Sequence, residues 1–400
     1  MIANLKPCTL HGTIDAPPSK SMAHRYLIGA ALSGQKCALS GVDFSEDILA
    51  SIDCLLALGV NVTIDGDTVT VDPKGFMQVE NPILKCRESG STLRFFIPLA
   101  LCLGSAVTLC GSDRLLSRPL DVYEKLCADN GFAFSKDKNS VTLCGQLKSG
   151  NYQIRGDISS QFITGLALAL VYLGEESAID IIPPFESRSY IDLTISALRS
   201  FGVDISFTNE YRIEIKKSSL RGFSGRIEGD YSNAAFLDAF NYIGSDVEVK
   251  NLKPDSLQGD RVYGDYFEQI SNSTPTLDIS NCPDLGPILF VLAAFKNGAV
   301  FTGTDRLKAK ESDRGAAIHE ELLKLGGGLV FGDNVITVPK QELIYKGEML
   351  DGHNDHRIVM AMSVALSKLG GSICGAEAIK KSYPEFFDDI RKLGAEVDLQ

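Results

Sequence analysis

The sequence predicts an α/β protein of two domains, each assembled from three copies of a βαβαββ-like unit. Three observations predict it. Apolar helical runs with polar or acidic starts close at Gly34, Gly104, Gly174, Gly244, Gly298 and Gly370, a period of roughly 70 residues. A second set of glycine-ended helices runs into short segments that alternate with period two, as half-buried strands do. The spacing shortens once, between Gly244 and Gly298, and a polar loop over residues 216–225 separates the third copy from the fourth.

Each element follows from its own residues. Residues 4–10 read as a strand. Pro17 and Pro18 end an extended segment, and Ser19 or Ser21 can cap the helix that runs through Tyr26, Leu27 and Ile28 to Gly34. Its first turn carries free backbone N–H groups, two hydroxyls, Lys20 and Arg25, which together make an anion site. The same design recurs at Gly90–Arg94, at Ser159-Ser160-Gln161, at Gly229-Asp230-Tyr231-Ser232-Asn233, at Pro283-Asp284-Leu285-Gly286 and at Asn354-Asp355-His356-Arg357. Six amphipathic helices with ordinary caps would not need the Arg, Lys and Gln that accompany these starts. The second helices, over 47–59, 120–131, 191–202 and 316–326, lead to hairpins at 60–71, 132–143, 203–215 and 328–338. The last, over 386–394, leads to a strand at 395–399. The fourth copy is degraded: 264–270 runs into Asn272-Ser273-Thr274-Pro275 without a clean helix end.

Splitting the chain at the polar loop gives one domain over 13–228 and another over 1–12 with 229–400. The N-terminal strand then pairs within the second domain, and the chain crosses near 11–14 and 221–228, which predicts a hinge.

Composition narrows the function. Lys and Arg number 39 against 51 Asp and Glu, a net charge of −12. A nucleic-acid binder would show a basic stripe; a few cations focused in a cleft still serve small anionic substrates. The ten Cys show no C-x-x-C pair and no zinc spacing, and their scatter through apolar runs suits buried thiols in a reducing cytoplasm. Residues 95–112 are uncharged and just reach membrane-spanning length, but Pro98, Gly104 and Ser105 interrupt them, so no span is expected.

Five motifs, in order, carry a resemblance: Ser19-Lys20-Ser21 with Arg25, Gly156-Asp157-Ile158-Ser159-Ser160-Gln161-Phe162, Lys310-Glu311-Ser312-Asp313-Arg314, Asn354-Asp355-His356-Arg357 and Lys381-Ser382-Tyr383-Pro384. Over almost its whole length the chain resembles the 5-enolpyruvylshikimate-3-phosphate synthases. The resemblance implies a two-domain inside-out α/β barrel with the active site in the interdomain cleft. It implies transfer of the enolpyruvyl group of phosphoenolpyruvate to the 5-hydroxyl of shikimate 3-phosphate through a tetrahedral intermediate, with release of phosphate. It also implies neither metal nor organic cofactor, no nucleic-acid or membrane partner, and a cytoplasmic monomer.

Site roles carry over residue by residue. Lys20, Ser21, Arg25, Ser159, Ser160, Gln161, Ser187, Tyr190, Asp284 and Lys310 would hold shikimate 3-phosphate. Lys20, Gly90, Arg118, Gln161 and Lys381 would face the phosphate of phosphoenolpyruvate, and Arg314 and Arg357 would grip its carboxylate, for which planar forks suit better than lysines. Asp284 would accept the proton of the 5-hydroxyl, Glu311 would deliver one to the methylene carbon, and Lys20 would stabilise the leaving phosphate. His356 would have at most a supporting role. The chain departs from the family at Pro18, where a glycine is usual, and over Glu88–Thr92, beside the site where the inhibitor glyphosate replaces phosphoenolpyruvate.

Two other readings compete. The UDP-N-acetylglucosamine enolpyruvyl transferases share fold and donor but usually carry a Cys on a mobile loop, which Asp113–Arg118 lacks. An inactive binding homologue would have lost one of Lys20, Asp284, Glu311, Arg314 and Lys381, all of which are present.

Overall fold

A computed structural model describes residues 1–400 and separates into two compact units, Pro18–Glu228 and Met1–Pro17 with Gly229–Gln400. Each unit has its own hydrophobic core.

In the unit Pro18–Glu228, three four-stranded sheets repeat one topology. The first runs Gly225–Arg226, Cys37–Ser40, Thr68–Asp72, Asn61–Asp65; the second Ile83–Lys85, Val107–Cys110, Ser140–Cys144, Ala133–Lys136; the third Asn151–Arg155, Ser177–Ile182, Arg212–Ile215, Ile205–Asn209. The first pair of each sheet is parallel, joined by a helical crossover in the second and third sheets, and the rest is antiparallel, closed by a hairpin. The helices Lys20–Leu32, Gly90–Ala100 and Ser160–Leu173 are buried nearly all round, so they fill the core while the amphipathic helices flank it. Gly90–Ala100 and Ser160–Leu173 approach closely at Gly165, where any Cβ would collide with the Arg94 carbonyl oxygen and the Tyr123 hydroxyl.

In the other unit, Tyr231–Tyr242, Gly286–Phe295 and His356–Leu369 are the buried helices. The sheet Thr276–Asp278, Ala299–Thr302, Val335–Val338, Val330–Gly332 repeats the topology in full. In the last sheet, Leu350–Asp351, Gly371–Cys374, Ile2–Leu5, Val397–Leu399, the N-terminal strand takes the place of a hairpin strand. The degraded fourth copy keeps a helix, Tyr263–Asn272, but no hairpin follows it; the chain goes directly to Thr276–Asp278.

The crossings fall at Pro17–Pro18 and Glu228–Gly229, the first a few residues later than the expected 11–14. The cause is pairing. His11–Asp15 forms a parallel pair with Asp246–Lys250 and so stays with the unit of residues 229–400. Conversely, Gly225–Arg226, just before the helix Tyr231–Tyr242, pairs with Cys37–Ser40. The first and fourth copies have exchanged their leading strands. No helix is long and apolar enough to cross a membrane.

Candidate active site

In the unit Pro18–Glu228, serines cap all three central helices. Ser19 accepts from the Met22 N–H at 3.4 Å, Ser89 from Thr92 at 3.2 Å and Ser159 from Gln161 at 3.3 Å. Of the two candidates at the first helix, Ser19 is therefore the cap, and Ser21 keeps its hydroxyl for other use. Arg25 is buried one turn further on. Its Nη1 donates to the Ser21 carbonyl at 2.6 Å, its Nη2 to the Tyr190 carbonyl at 2.9 Å and its Nε to the Thr194 hydroxyl at 2.9 Å. All three acceptors are neutral, so the buried cation has no carboxylate among its hydrogen-bond partners, and burial lowers its pKa to about 10. Beside it His24 is held well below the ordinary histidine value, first by burial and then by Lys20 and Arg25. The helix start is thus strongly electropositive. Ser187, buried in a left-handed conformation, opens the helix Arg188–Ser200 that brings up Tyr190 and Thr194. A hydroxyl pair, Thr164–Thr194 at 2.8 Å, ties that helix to the one starting at Ser160.

Lys20, Gly90, Arg118 and Gln161 form a second group. Lys20 Nζ pairs with Asp47 at 2.9 Å, and the Asp47 carbonyl accepts from Thr92 Oγ1 at 3.4 Å in the first turn of the helix that begins at Gly90. The Arg118 guanidinium lies directly over Gly90: a Cβ there would be 2.5 Å from Nη1. Gln161 is oriented at both ends, its Oε1 accepting from Arg94 at 2.7 Å and its Nε2 donating to Ser91 at 2.9 Å. Asp47 and Thr194 are not among the residues expected at the site, and Arg94 is expected only as part of the Gly90–Arg94 helix start.

The other unit concentrates its charges on Arg314, 1% exposed. Its Nη1 donates to Asp284 at 2.6 Å, its Nη2 to Glu311 at 2.7 Å and its Nε to Asp355 at 2.9 Å. Lys310 also reaches Asp284, at 3.0 Å, and Arg357 lies 3.8 Å from its other oxygen. Burial alone would raise the Asp284 pKa, but Lys310, Arg314 and Arg357 hold it well below the usual carboxylate range. Lys310 is itself lowered, because burial outweighs the attraction of Asp284. Lys381 Nζ donates to the Asn354 carbonyl at 2.6 Å. Asp355, which the sequence marks only as a member of the Asn354–Arg357 motif, caps the helix His356–Leu369 and accepts from the Arg357 N–H at 2.9 Å. His356 is buried beside it, with Nδ1 3.8 Å from Asp355.

Such a site suits proton transfer on anionic substrates: four cations, Lys310, Arg314, Arg357 and Lys381, stand with the carboxylates Asp284, Glu311 and Asp355. Comparison with known proteins agrees. The family model described as EPSP synthase (3-phosphoshikimate 1-carboxyvinyltransferase) matches residues 5–390. The 3-phosphoshikimate 1-carboxyvinyltransferase of Clostridium kluyveri is 38% identical over 417 residues, covering 99% of this chain and 98% of that protein. That of Clostridium novyi is 38% identical, covering 98% and 97%. Among solved structures, EPSP synthase from Acinetobacter baumannii superposes with a TM-score of 0.79 at 23% identity, covering 100% of both chains. The enolpyruvyl transferase NikO from Streptomyces tendae gives 0.77 at 15%, covering 99% and 98%. These two likenesses are of fold.

Proposed function

The chain belongs to the EPSP synthase family, and from that premise we propose how its residues divide the family's reaction, the transfer of the enolpyruvyl group of phosphoenolpyruvate to the 5-hydroxyl of shikimate 3-phosphate. Arg25, Ser21, Ser159, Ser160, Gln161, Ser187, Tyr190 and Lys310 hold shikimate 3-phosphate. Lys20, Gly90, Arg118, Gln161 and Lys381 hold the phosphate of phosphoenolpyruvate, and Arg314 and Arg357 its carboxylate.

The observation that carries the division of roles is the set Lys310, Asp284, Arg314 and Glu311, joined by charged hydrogen bonds of 2.6–3.0 Å. Asp284 takes the proton of the 5-hydroxyl as that oxygen bonds to C2 of phosphoenolpyruvate. Glu311, protonated once phosphoenolpyruvate has drawn Arg314 away from it, gives that proton to C3, which becomes a methyl group in the tetrahedral adduct. A methyl proton then returns to protein, the C2–C3 double bond reforms, and the C2–O bond to phosphate breaks, with Lys20 neutralising the departing charge. In the free protein Asp284 is too well solvated by cations to be a good base. Bound anions compete for Lys310, Arg314 and Arg357 and return its basicity, so the base is armed by its substrates. We place the activity in the cytoplasm, where the exposed thiol of Cys144 would stay reduced.

The test is phosphate release on mixing the protein with both substrates, with UDP-N-acetylglucosamine as control acceptor. Release with shikimate 3-phosphate alone is expected; release only with the UDP-sugar would overturn the assignment.

A further inference from the structure

Glu321 lies two turns beyond Arg314 on the helix Arg314–Lys324 and is fully buried. A buried carboxylate must have its lone pairs filled. Here three donors fill them: Lys324 Nζ at 2.9 Å, the Asp351 N–H at 2.9 Å and His353 Nε2 at 2.7 Å. Two of these donors belong to the segment that leads into the Asn354-Asp355 turn.

That turn is strained. His353 and Asn354 have φ of 50° and 51°, a left-handed conformation that residues with a Cβ adopt at a cost and keep only where the surroundings hold them. What the strain presents is the Asn354 carbonyl to Lys381 and, one residue on, the Asp355 carboxylate to Arg314 and to the Ser312 hydroxyl at 3.0 Å. Glu321 therefore acts on Arg314 from two directions, along their shared helix and through the turn.

We propose that Glu321 and His353 form a latch of positioning residues that sets Arg314 and Lys381 for phosphoenolpyruvate, and that the latch is closed when His353 is protonated. This rests on the reading of Arg314 and Lys381 as phosphoenolpyruvate contacts. The hydrogen bond to Glu321 raises the His353 pKa above its ordinary value, although burial opposes it. The other charged or titratable groups around it are Glu320, with a carboxylate oxygen 3.8 Å away, Asp351, Lys324 on Glu321, and Cys374, paired with Asp351 across the strands. With a raised pKa in the folded protein, the latch is a full ion pair below the ordinary histidine pKa and loosens to a neutral N–H···O bond as the pH climbs through the raised value.

The experiment is steady-state kinetics of the full chain from about pH 6 to about pH 9, comparing the wild type with His353→Asn and Glu321→Gln. Asn accepts the left-handed conformation, so His353→Asn keeps the turn and removes the ring. It is expected to raise KM for phosphoenolpyruvate by about tenfold at the acid end, to leave kcat and KM for shikimate 3-phosphate within about twofold, and to flatten the pH dependence of KM for phosphoenolpyruvate. Glu321→Gln is expected to give the same split and to lower the midpoint of the His353 ring titration seen by NMR. With an active wild type, an unmoved KM and pH profile in both variants overturns the latch alone. Equal losses in kcat and both KM values, with a lower Tm, overturn it as well, since they mark a merely structural role. A wild type without activity removes the proposed reaction and the latch with it.

Discussion

Asp355 accepts the Arg314 Nε–H at 2.9 Å, and both side chains are shielded from water, at 0% and 1% exposure. The same carboxylate caps a helix by accepting the Arg357 N–H. One buried anion thereby orients the Arg314 guanidinium and fixes the backbone that carries Arg357, the two arginines assigned to the carboxylate of phosphoenolpyruvate. Asp355→Asn would keep the cap and lose the charge on Arg314. Phosphoenolpyruvate affinity is expected to fall by about 1.5–3 kcal/mol while shikimate 3-phosphate binds as before, checked by calorimetric titration with each ligand.

Arg314→Lys replaces a fork that meets three carboxylates by a point charge that can meet one. A loss on the order of 1.5–3 kcal/mol in phosphoenolpyruvate binding is expected, far above any change for shikimate 3-phosphate. Equal weakening of both ligands would contradict the assignment.

Arg25 makes the opposite prediction for stability. With no carboxylate among its hydrogen-bond partners, its burial already weighs against the folded state. Arg25→Met should therefore change the unfolding free energy little and abolish much of the affinity for shikimate 3-phosphate. Arg314→Met should cost about 3–5 kcal/mol of stability, because it strands buried anions. Urea unfolding of the two variants side by side distinguishes them.

Gly90→Ala would push the Arg118 guanidinium, the far end of a flexible side chain, off its perch. The expected result is a KM for phosphoenolpyruvate raised by about tenfold with Tm nearly unchanged, since a displaced charged hydrogen bond is lost but no core contact is. Kinetics with thermal melts checks both halves.

Asp284 titrates well below its ordinary range when folded, so it stabilises the protein above the unfolded carboxylate pKa of about 4 and loses that contribution as the pH falls through its lower, folded value. The stability gap between wild type and Asp284→Asn, measured by urea unfolding, should be full at neutral pH and shrink only in strong acid. A gap already shrinking near pH 6, far above the ordinary value, would contradict the cation cage around this carboxylate.

The repeats were legible because each is local: a cap, an apolar run and a closing glycine lie within one helix, and a hairpin lies within a few residues. The crossing at Pro17–Pro18 was not, because the partner of His11–Asp15 is 235 residues away and its exposed, mixed residues show no alternation. Arg118, Lys310 and Lys381 were carried by the family resemblance alone, whereas Lys20, Arg25 and Arg357 announced themselves as cations at helix starts. Asp47, Asp355 and Glu321 did not, since an acidic residue at or near a helix looks the same in sequence whether it faces water or holds a buried cation.

The strand Ile2–Leu5 lies between Gly371–Cys374 and Val397–Leu399. On a ribosome adding about 5–20 residues per second, it emerges roughly 20–80 s before either neighbour exists. Residues 18–228 are by then complete and free to fold as a finished insert, and His11–Asp15 already has its partner Asp246–Lys250, while Ile2–Leu5 is still an unpaired strand. The vectorial order of synthesis thus favours residues 18–228 folding first, and Ile2–Leu5 settles only once its two distant neighbours have been made.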